Sequence, residues 1–275
     1  MKKIIYLTGM PRAMTTLMAN VLANNPNIEG GETSPLLEYI YAARNNYTNT
    51  PETKSALTQE KMHKSFLAFC RSGMQGYANE MCLDKDILLD KSRGWVHYAP
   101  FLWEIQPEAK IILMVRDLRS VLSSFEKKWR QNPSIIDVRD NPNQQQFITV
   151  EQRVNHWLND PPLGIALKRI YNAIETGTIK NMLVVKAEQF CNRPQDVMKS
   201  VYSFIHESYY DLDYRNVEQK TIENDRISDF GIYGDHTIRQ DIKPIEKDYQ
   251  SVLGKSISDS IKTQYAWFFN HFDYL

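Results

Sequence analysis

The feature that most constrains this chain lies at its beginning, where Lys3-Ile4-Ile5-Tyr6-Leu7-Thr8-Gly9-Met10-Pro11-Arg12-Ala13-Met14-Thr15-Thr16-Leu17-Met18-Ala19-Asn20-Val21-Leu22 changes periodicity once. A short apolar run closed by a glycine reads as a buried strand. Beyond Gly9-Met10-Pro11, Leu17, Met18, Val21 and Leu22 recur at helical spacing. A strand, a tight loop and a helix aim the free N–H groups of the helix N-terminus at an anion. Arg12 adds a fixed positive charge, and Thr15 and Thr16 add hydroxyl donors in the first turn. The Walker pattern G-x-x-x-x-G-K-[ST] fails here: Met14 stands at its second glycine and Thr15 at its lysine. A loop without that lysine disfavours a nucleoside triphosphate while still offering a phosphate site.

The remainder of the chain supports one α/β domain over residues 1–275, with insertions at about 36–80 and 126–176. Ile28, Ile87-Leu88-Leu89, Lys110–Val115 and Met182-Leu183-Val184-Val185 are further strand candidates. Between them, the spacing of Met62, Phe66, Phe69, Cys70 and Tyr77 predicts a long amphipathic helix from Thr58 whose apolar face packs on the core. A helix follows Arg116 with Val121, Leu122 and Phe125 on one face, Thr149-Val150-Glu151-Gln152 forms a capping box, and Pro194 to Ile205 forms another helix. Residues 130–148 read as a surface insertion or lid, 206–255 as irregular, and Ile261 to Phe269 as a docked C-terminal helix. Strands alternating with helices make a parallel sheet whose ligands bind at the carboxyl ends of the strands. Gly9 to Thr16, Glu32, Lys91 and Arg116 all fall at such ends.

Charge and composition exclude several function classes. Lys plus Arg equal Asp plus Glu at 33 each, so no basic field recommends a nucleic-acid partner and any anion site must be local. Cys70, Cys82 and Cys191 are odd in number and scattered, which argues against a disulfide framework and for a reducing compartment; no Cys/His cluster has zinc spacing. The apolar run after Lys2-Lys3 is too short for a signal peptide or a membrane span. The expectation is a cytoplasmic protein with neither a nucleic-acid nor a membrane partner.

Gly9-Met10-Pro11-Arg12-Ala13-Met14-Thr15-Thr16-Leu17 resembles the 5′-phosphosulfate loop, G-x-P-R-S-G-T-T-L, of sulfotransferases that use 3′-phosphoadenosine 5′-phosphosulfate (PAPS). Ala13 and Met14 replace its Ser-Gly, and a methionine resists the positive φ that glycine accepts. Val115-Arg116-Asp117 with Ser124 one helix face onward resembles the same family's 3′-phosphate motif. Taken alone, Arg116 and Ser124 would read as an Arg–Asp surface pair and a solvated serine. Asp90-Lys91-Ser92 resembles the segment that carries a lysine facing the transferred group, and Lys186-Ala187-Glu188 a drifted form of the family's later strand end. Gly231 to His236 resembles the loop that covers the adenosine.

The resemblance implies a P-loop-NTPase-like three-layer α/β/α fold with a central parallel sheet and helical insertions. It implies PAPS as donor, 3′-phosphoadenosine 5′-phosphate (PAP) as product, and no metal. Gly9, Pro11, Arg12, Ala13, Met14, Thr15, Thr16, Arg116 and Ser124 would bind the donor, with Glu32, Lys91 and Arg12 catalytic. Gly31-Glu32-Thr33 resembles the G-E-E-T segment of tyrosylprotein sulfotransferases, whose second Glu takes the acceptor proton; Ser34 stands where those enzymes carry an acceptor-binding Arg. Small-molecule sulfotransferases instead place a His two residues after the lysine, a position held here by Arg93, and His97 competes with Glu32 as base. The acceptor is a hydroxyl on a small molecule, sugar or peptide. Two other readings stand beside this one: a nucleotide-dependent kinase of related fold, and a non-catalytic nucleotide-binding module.

Overall fold

The computed structural model describes residues 1–131, 149–224 and 236–274. Five strands form one sheet: β1 (Lys3–Gly9), β2 (Ile28–Thr33), β3 (Ile87–Lys91), β4 (Lys110–Val115) and β5 (Leu183–Lys186). They pair in the order β2-β3-β1-β4-β5, and every pairing is parallel. β1 lies at the centre because its apolar run is buried from Ile4 to Gly9, as a strand covered on both faces requires.

Helix α1 (Thr15–Ala23) leads leftward from β1 to the edge strand β2, whereas the later connections lead rightward. Right-handed crossovers therefore put α1 on one face and α2 (Leu36–Asn49), α3 (Pro51–Ser55), α4 (Gln59–Met81) and α5 (Trp95–Ile105) on the other. That is the three-layer architecture expected. α1 packs on β1 and β3, and α5 on β1 and β4. After β4 come α6 (Leu118–Gln131), α7 (Val150–Asn159) and α8 (Leu163–Glu175). α9 (Ala187–Asn192), α10 (Pro194–Phe204), α11 (Tyr249–Leu253), α12 (Lys255–Gln264) and α13 (Ala266–His271) follow β5.

Two glycine positions shape the strand ends. A Cβ on Gly9 would come within 2.6 Å of the Met114 carbonyl oxygen, so only glycine lets β1 meet β4 this closely before the loop. Gly30 and Gly31 take φ of 91° and 102° at a register shift between β2 and β3. This bulge carries the strand on to Thr33, further than the brief strand expected at Ile28, and re-aims Glu32.

The α4 stripe also differs from expectation. Its buried residues are Cys70, Met74 and Ala78, with Phe66 and Tyr77 packed beside them. Phe69 stands one residue off this four-residue repeat and is 67% exposed, and Met62 is exposed beyond its end. The C-terminal helix is two helices, α12 and α13, broken at Tyr265. The capping box at Thr149–Gln152 is present in both directions. Most of the 130–148 segment, and the 231–236 loop up to His236, lie outside the described residues.

Candidate active site

The β1–α1 loop builds an anion cradle from backbone strain and a bare helix end. Arg12 and Met14 adopt left-handed φ of 59° and 61°. Met14 takes the conformation its side chain disfavours and serves as N-cap of α1. Among the described residues no side chain caps that N-terminus, and no acidic residue lies in its first turn, so the first-turn amides around Thr15 and Thr16 remain available to an anion. Pro11 and Ala13 are buried beneath the loop.

The β4 end joins this cradle directly. Arg116 donates from Nη1 to the Arg12 carbonyl oxygen at 2.8 Å, and Arg12 donates from Nε to Ser124 Oγ at 3.0 Å. The surface-pair reading of Arg116 fails, because Asp117 is held by Arg119 in a fork: Nε to Oδ1 at 3.0 Å and Nη2 to Oδ2 at 2.7 Å. The next acid, Glu188, accepts from the Asp117 amide at 3.0 Å and the Tyr274 hydroxyl at 2.9 Å. With both acids engaged elsewhere, Arg116 Nε is buried and has no hydrogen-bond partner among the described residues. Burial lowers its pKa, with Arg12 adding repulsion and Glu188 opposing both. Buried guanidinium groups with an unmet donor are what a phosphate dianion satisfies.

The β2 and β3 ends form a second, charge-balanced half. Lys91 is buried and its ammonium donates to Glu223 Oε1. Burial lowers the Lys91 pKa, and the Glu223 and Glu32 carboxylates oppose that shift. Glu223 Oε2 accepts from Thr33 Oγ1 at 2.8 Å and lies 3.3 Å from His236 Nε2. Glu32 is half-buried, and its Oε1 accepts from the Ile222 amide at 3.3 Å. Arg93 links the two halves: burial, with Arg12 and Arg169 nearby, pulls its pKa down to about 10 against the pull of Glu223. His97 is exposed on the first turn of α5, with its ring against Tyr98, and burial together with Arg169 and Arg44 lowers its pKa.

The structure thus brings Arg12, Arg116 and Ser124 into one cluster, and places Glu32 and Lys91 in the other. Sequence reasoning missed Glu223, Arg169 and the Glu188–Tyr274 contact. Glu223 lies in a stretch without periodicity and meets its partners across 132 and 190 residues of chain. In the sequence, Arg93 stands out only as the residue at a histidine position. Among the described residues, no group of three or more His, Cys, Asp or Glu side chains is placed to hold a metal ion.

The sequence model of the sulfotransferase family matches residues 5–211. Protein-tyrosine sulfotransferase A of Caenorhabditis elegans is 25% identical over 209 residues, covering 73% of this chain and 49% of that one. The chain therefore spans about half the length of this relative. A putative protein-tyrosine sulfotransferase of Caenorhabditis briggsae is 24% identical, covering 97% and 94%. The sulfotransferase domain from the curacin biosynthetic pathway superposes with a TM-score of 0.52 at 16% identity, covering 97% of this chain and 98% of that one.

Proposed function

Because the chain belongs to the sulfotransferase family, we propose that it transfers a sulfuryl group from PAPS to a hydroxyl acceptor by in-line displacement. The observation that carries the choice of donor is the unmet Nε of Arg116 beside Arg12 and Ser124. It supplies a second phosphate clamp next to the helix-end cradle, which suits a nucleotide phosphorylated at both 5′ and 3′ positions. ADP and ATP have no group for that clamp, and the absent Walker lysine weighs against the kinase reading.

The residues present fit the donor. Gly9, Pro11, Arg12, Ala13, Met14, Thr15 and Thr16 would hold its 5′ side, and Arg116 with Ser124 its 3′-phosphate. When bound, PAPS supplies an activated sulfuryl group whose leaving oxygen belongs to a phosphate. Lys91, Arg12 and the α1 N-terminus would stabilise charge that grows on the leaving and sulfuryl oxygens, a role that fixed cations at a dry strand end perform without reorganising. Glu32 would accept the acceptor's proton, and its carboxylate lies near Lys91 on the bulged end of β2. His97 is the competing base; its described contacts run to Tyr98, Arg169 and Arg44. Positioning and preorganised charge would then carry most of the rate.

Two of the curated relatives are named as protein-tyrosine sulfotransferases, which supports a phenolic hydroxyl on a peptide as one acceptor class; Ser34 at the acceptor-binding arginine position weighs against it. Residues 36–80 and 126–176 would supply acceptor specificity. Three buried free thiols, Cys70, Cys82 and Cys191, support a reducing, cytoplasmic setting.

The experiment is transfer of radiolabelled sulfuryl from PAPS to a panel of phenols, tyrosyl peptides and sugars, beside phosphoryl transfer from ATP with Mg²⁺. Label in an acceptor of the first set, without metal, supports the reading. Phosphoryl transfer alone overturns it.

A further inference from the structure

Lys91 does not stand alone at the end of β3; a strap from the far end of the chain is fastened across it. The strap's backbone is pinned to α1: the Lys220 and Thr221 amides donate to Asn20 Oδ1 at 2.6 and 3.0 Å, and Asn20 Nδ2 donates to Thr221 Oγ1 at 2.9 Å. Asn20 and Thr221 are fully buried. Gly31 completes the seat, because a Cβ there would press on Thr221 Cγ2 at 3.1 Å. The helix whose N-terminus forms the anion cradle therefore also fixes the strap. From that anchor the next two residues reach both groups assigned to chemistry: the Ile222 amide meets Glu32, and the Glu223 carboxylate meets Lys91.

We propose that Glu223 is a positioning residue for sulfuryl transfer, a carboxylate that holds the Lys91 ammonium in the site while Thr33 and His236 hold the carboxylate. Both of its oxygens are engaged, Oε1 by Lys91 and Oε2 by Thr33 and His236, so its orientation is set from three elements. The ammonium gives one donor to Glu223, and its other two would serve the reacting group. A buried lysine without a partner would shed its proton or swing toward water. Paired, it stays charged and aimed. Among the described residues, the charged or titratable groups facing Lys91 are Glu223 from the strap, Glu32 from β2 and Arg93 from the β3–α5 turn; His236 reaches it through Glu223. The two carboxylates support its charge, and burial with Arg93 works against it.

The role given to Lys91 rests on the sulfotransferase reading; the pairing itself does not. The test is a pH titration of the Lys91 side chain by NMR on lysine-labelled protein, assigned with Lys91→Arg, in wild type and Glu223→Gln. Turnover of PAPS with the acceptor panel is followed alongside. Gln keeps the shape and the contacts to Thr33 and His236 but removes the charge. The expected result is a Lys91 proton affinity at least tenfold lower in Glu223→Gln, with the basic limb of the kcat profile moving to lower pH by the same amount. PAP affinity should stay within threefold. Thr33→Val gives an independent arm should Glu223→Gln fail to fold. It removes one of the two contacts on Oε2, leaving His236, without touching charge, and should lower kcat about three- to tenfold while leaving the Lys91 titration in place. An active enzyme whose Lys91 titration and kcat profile are unmoved in Glu223→Gln overturns the role of Glu223. So does wild-type kcat in Thr33→Val. A wild-type protein that moves no sulfuryl group from PAPS overturns the function instead, and with it the purpose of the pair.

Discussion

The two halves of the site handle charge in opposite ways. At the β1 and β4 ends, Arg12 and Arg116 are brought together while the nearby acids are drawn off, Asp117 by Arg119 and Glu188 by Tyr274. At the β2 and β3 ends, Lys91 is matched by Glu223 and flanked by Glu32. A half that keeps an unmet donor in a dry setting is built to receive a charged ligand. A half whose charges are already matched is built to hold side chains in place while a reaction redistributes charge among them. On the proposed function, binding and chemistry would thus be separated along the carboxyl ends of the strands, with Arg93 facing both halves.

The largest effect should come from the balanced half. Glu32→Gln keeps the shape of the side chain and removes the basic carboxylate; kcat should fall by ~10²–10⁴ with PAP affinity retained. If Glu32→Gln turns over normally while His97→Ala does not, the base lies on α5 and the balanced half loses its proton acceptor. Lys91→Ala should lower kcat by ~10²–10³, again with little change in PAP affinity. A loss of affinity instead of turnover would place Lys91 in the binding half and blur the division.

Next in size is a pH effect beneath Lys91. Asp90 is buried and receives the Trp95 indole N–H at 2.6 Å on Oδ1, with Ser34 beside it; among the described residues Oδ2 has no partner at full hydrogen-bond geometry. Burial pushes its pKa up to about 6. A carboxyl whose folded pKa is raised favours the fold while protonated, so its contribution is present below about pH 4 and is lost as pH rises past about 6. Asp90→Asn should therefore gain about 2 kcal/mol relative to wild type on going from pH 4 to pH 8, read by denaturant unfolding at both. Equal stability differences at the two pH values would show that this strand end tolerates an unmatched charge.

Smaller effects belong to the binding half. Arg116→Ala should weaken PAP binding about 10- to 100-fold and raise the KM for PAPS, with kcat close to wild type, because a 3′-phosphate is held alike before and during transfer. Unchanged affinity would remove the second clamp. Met14→Gly should alter stability by less than about 1 kcal/mol, since relief of the left-handed φ offsets lost packing and added chain entropy. A loss of several kcal/mol would mean that the methionine side chain, rather than the loop backbone, secures the cradle.

Much of this was legible in the residues. β4 runs from Lys110 to Val115 as its apolar run predicts, and the capping box at Thr149 forms as its spacing requires. The parallel sheet follows from strands alternating with helices, and the strand-end positions of Arg12, Glu32, Lys91 and Arg116 follow from the sheet. What could not be read depends on contacts between distant stretches. Nothing around Asp117 says that Arg119 rather than Arg116 will take it, because the choice is made by packing against Tyr249 and Phe269, whose rings lie beside the Arg119 guanidinium. Nothing in Thr221-Ile222-Glu223 has a period, and its place is set by Asn20, two hundred residues earlier. Phe69 reads as core in the sequence but is exposed, because apolar spacing alone cannot tell which of two adjacent helical stripes is buried.

The central claim is that the cation-rich half holds two phosphate groups. It is tested most directly by thermal unfolding with PAP and with ADP at equal concentration, each with and without Mg²⁺. Ligand that binds only the folded state adds about 2.7 kcal/mol at a hundredfold excess over Kd. PAP is predicted to raise the Tm more than ADP does, with no dependence on Mg²⁺. Equal shifts from the two nucleotides, or a shift that needs the metal, would contradict the account.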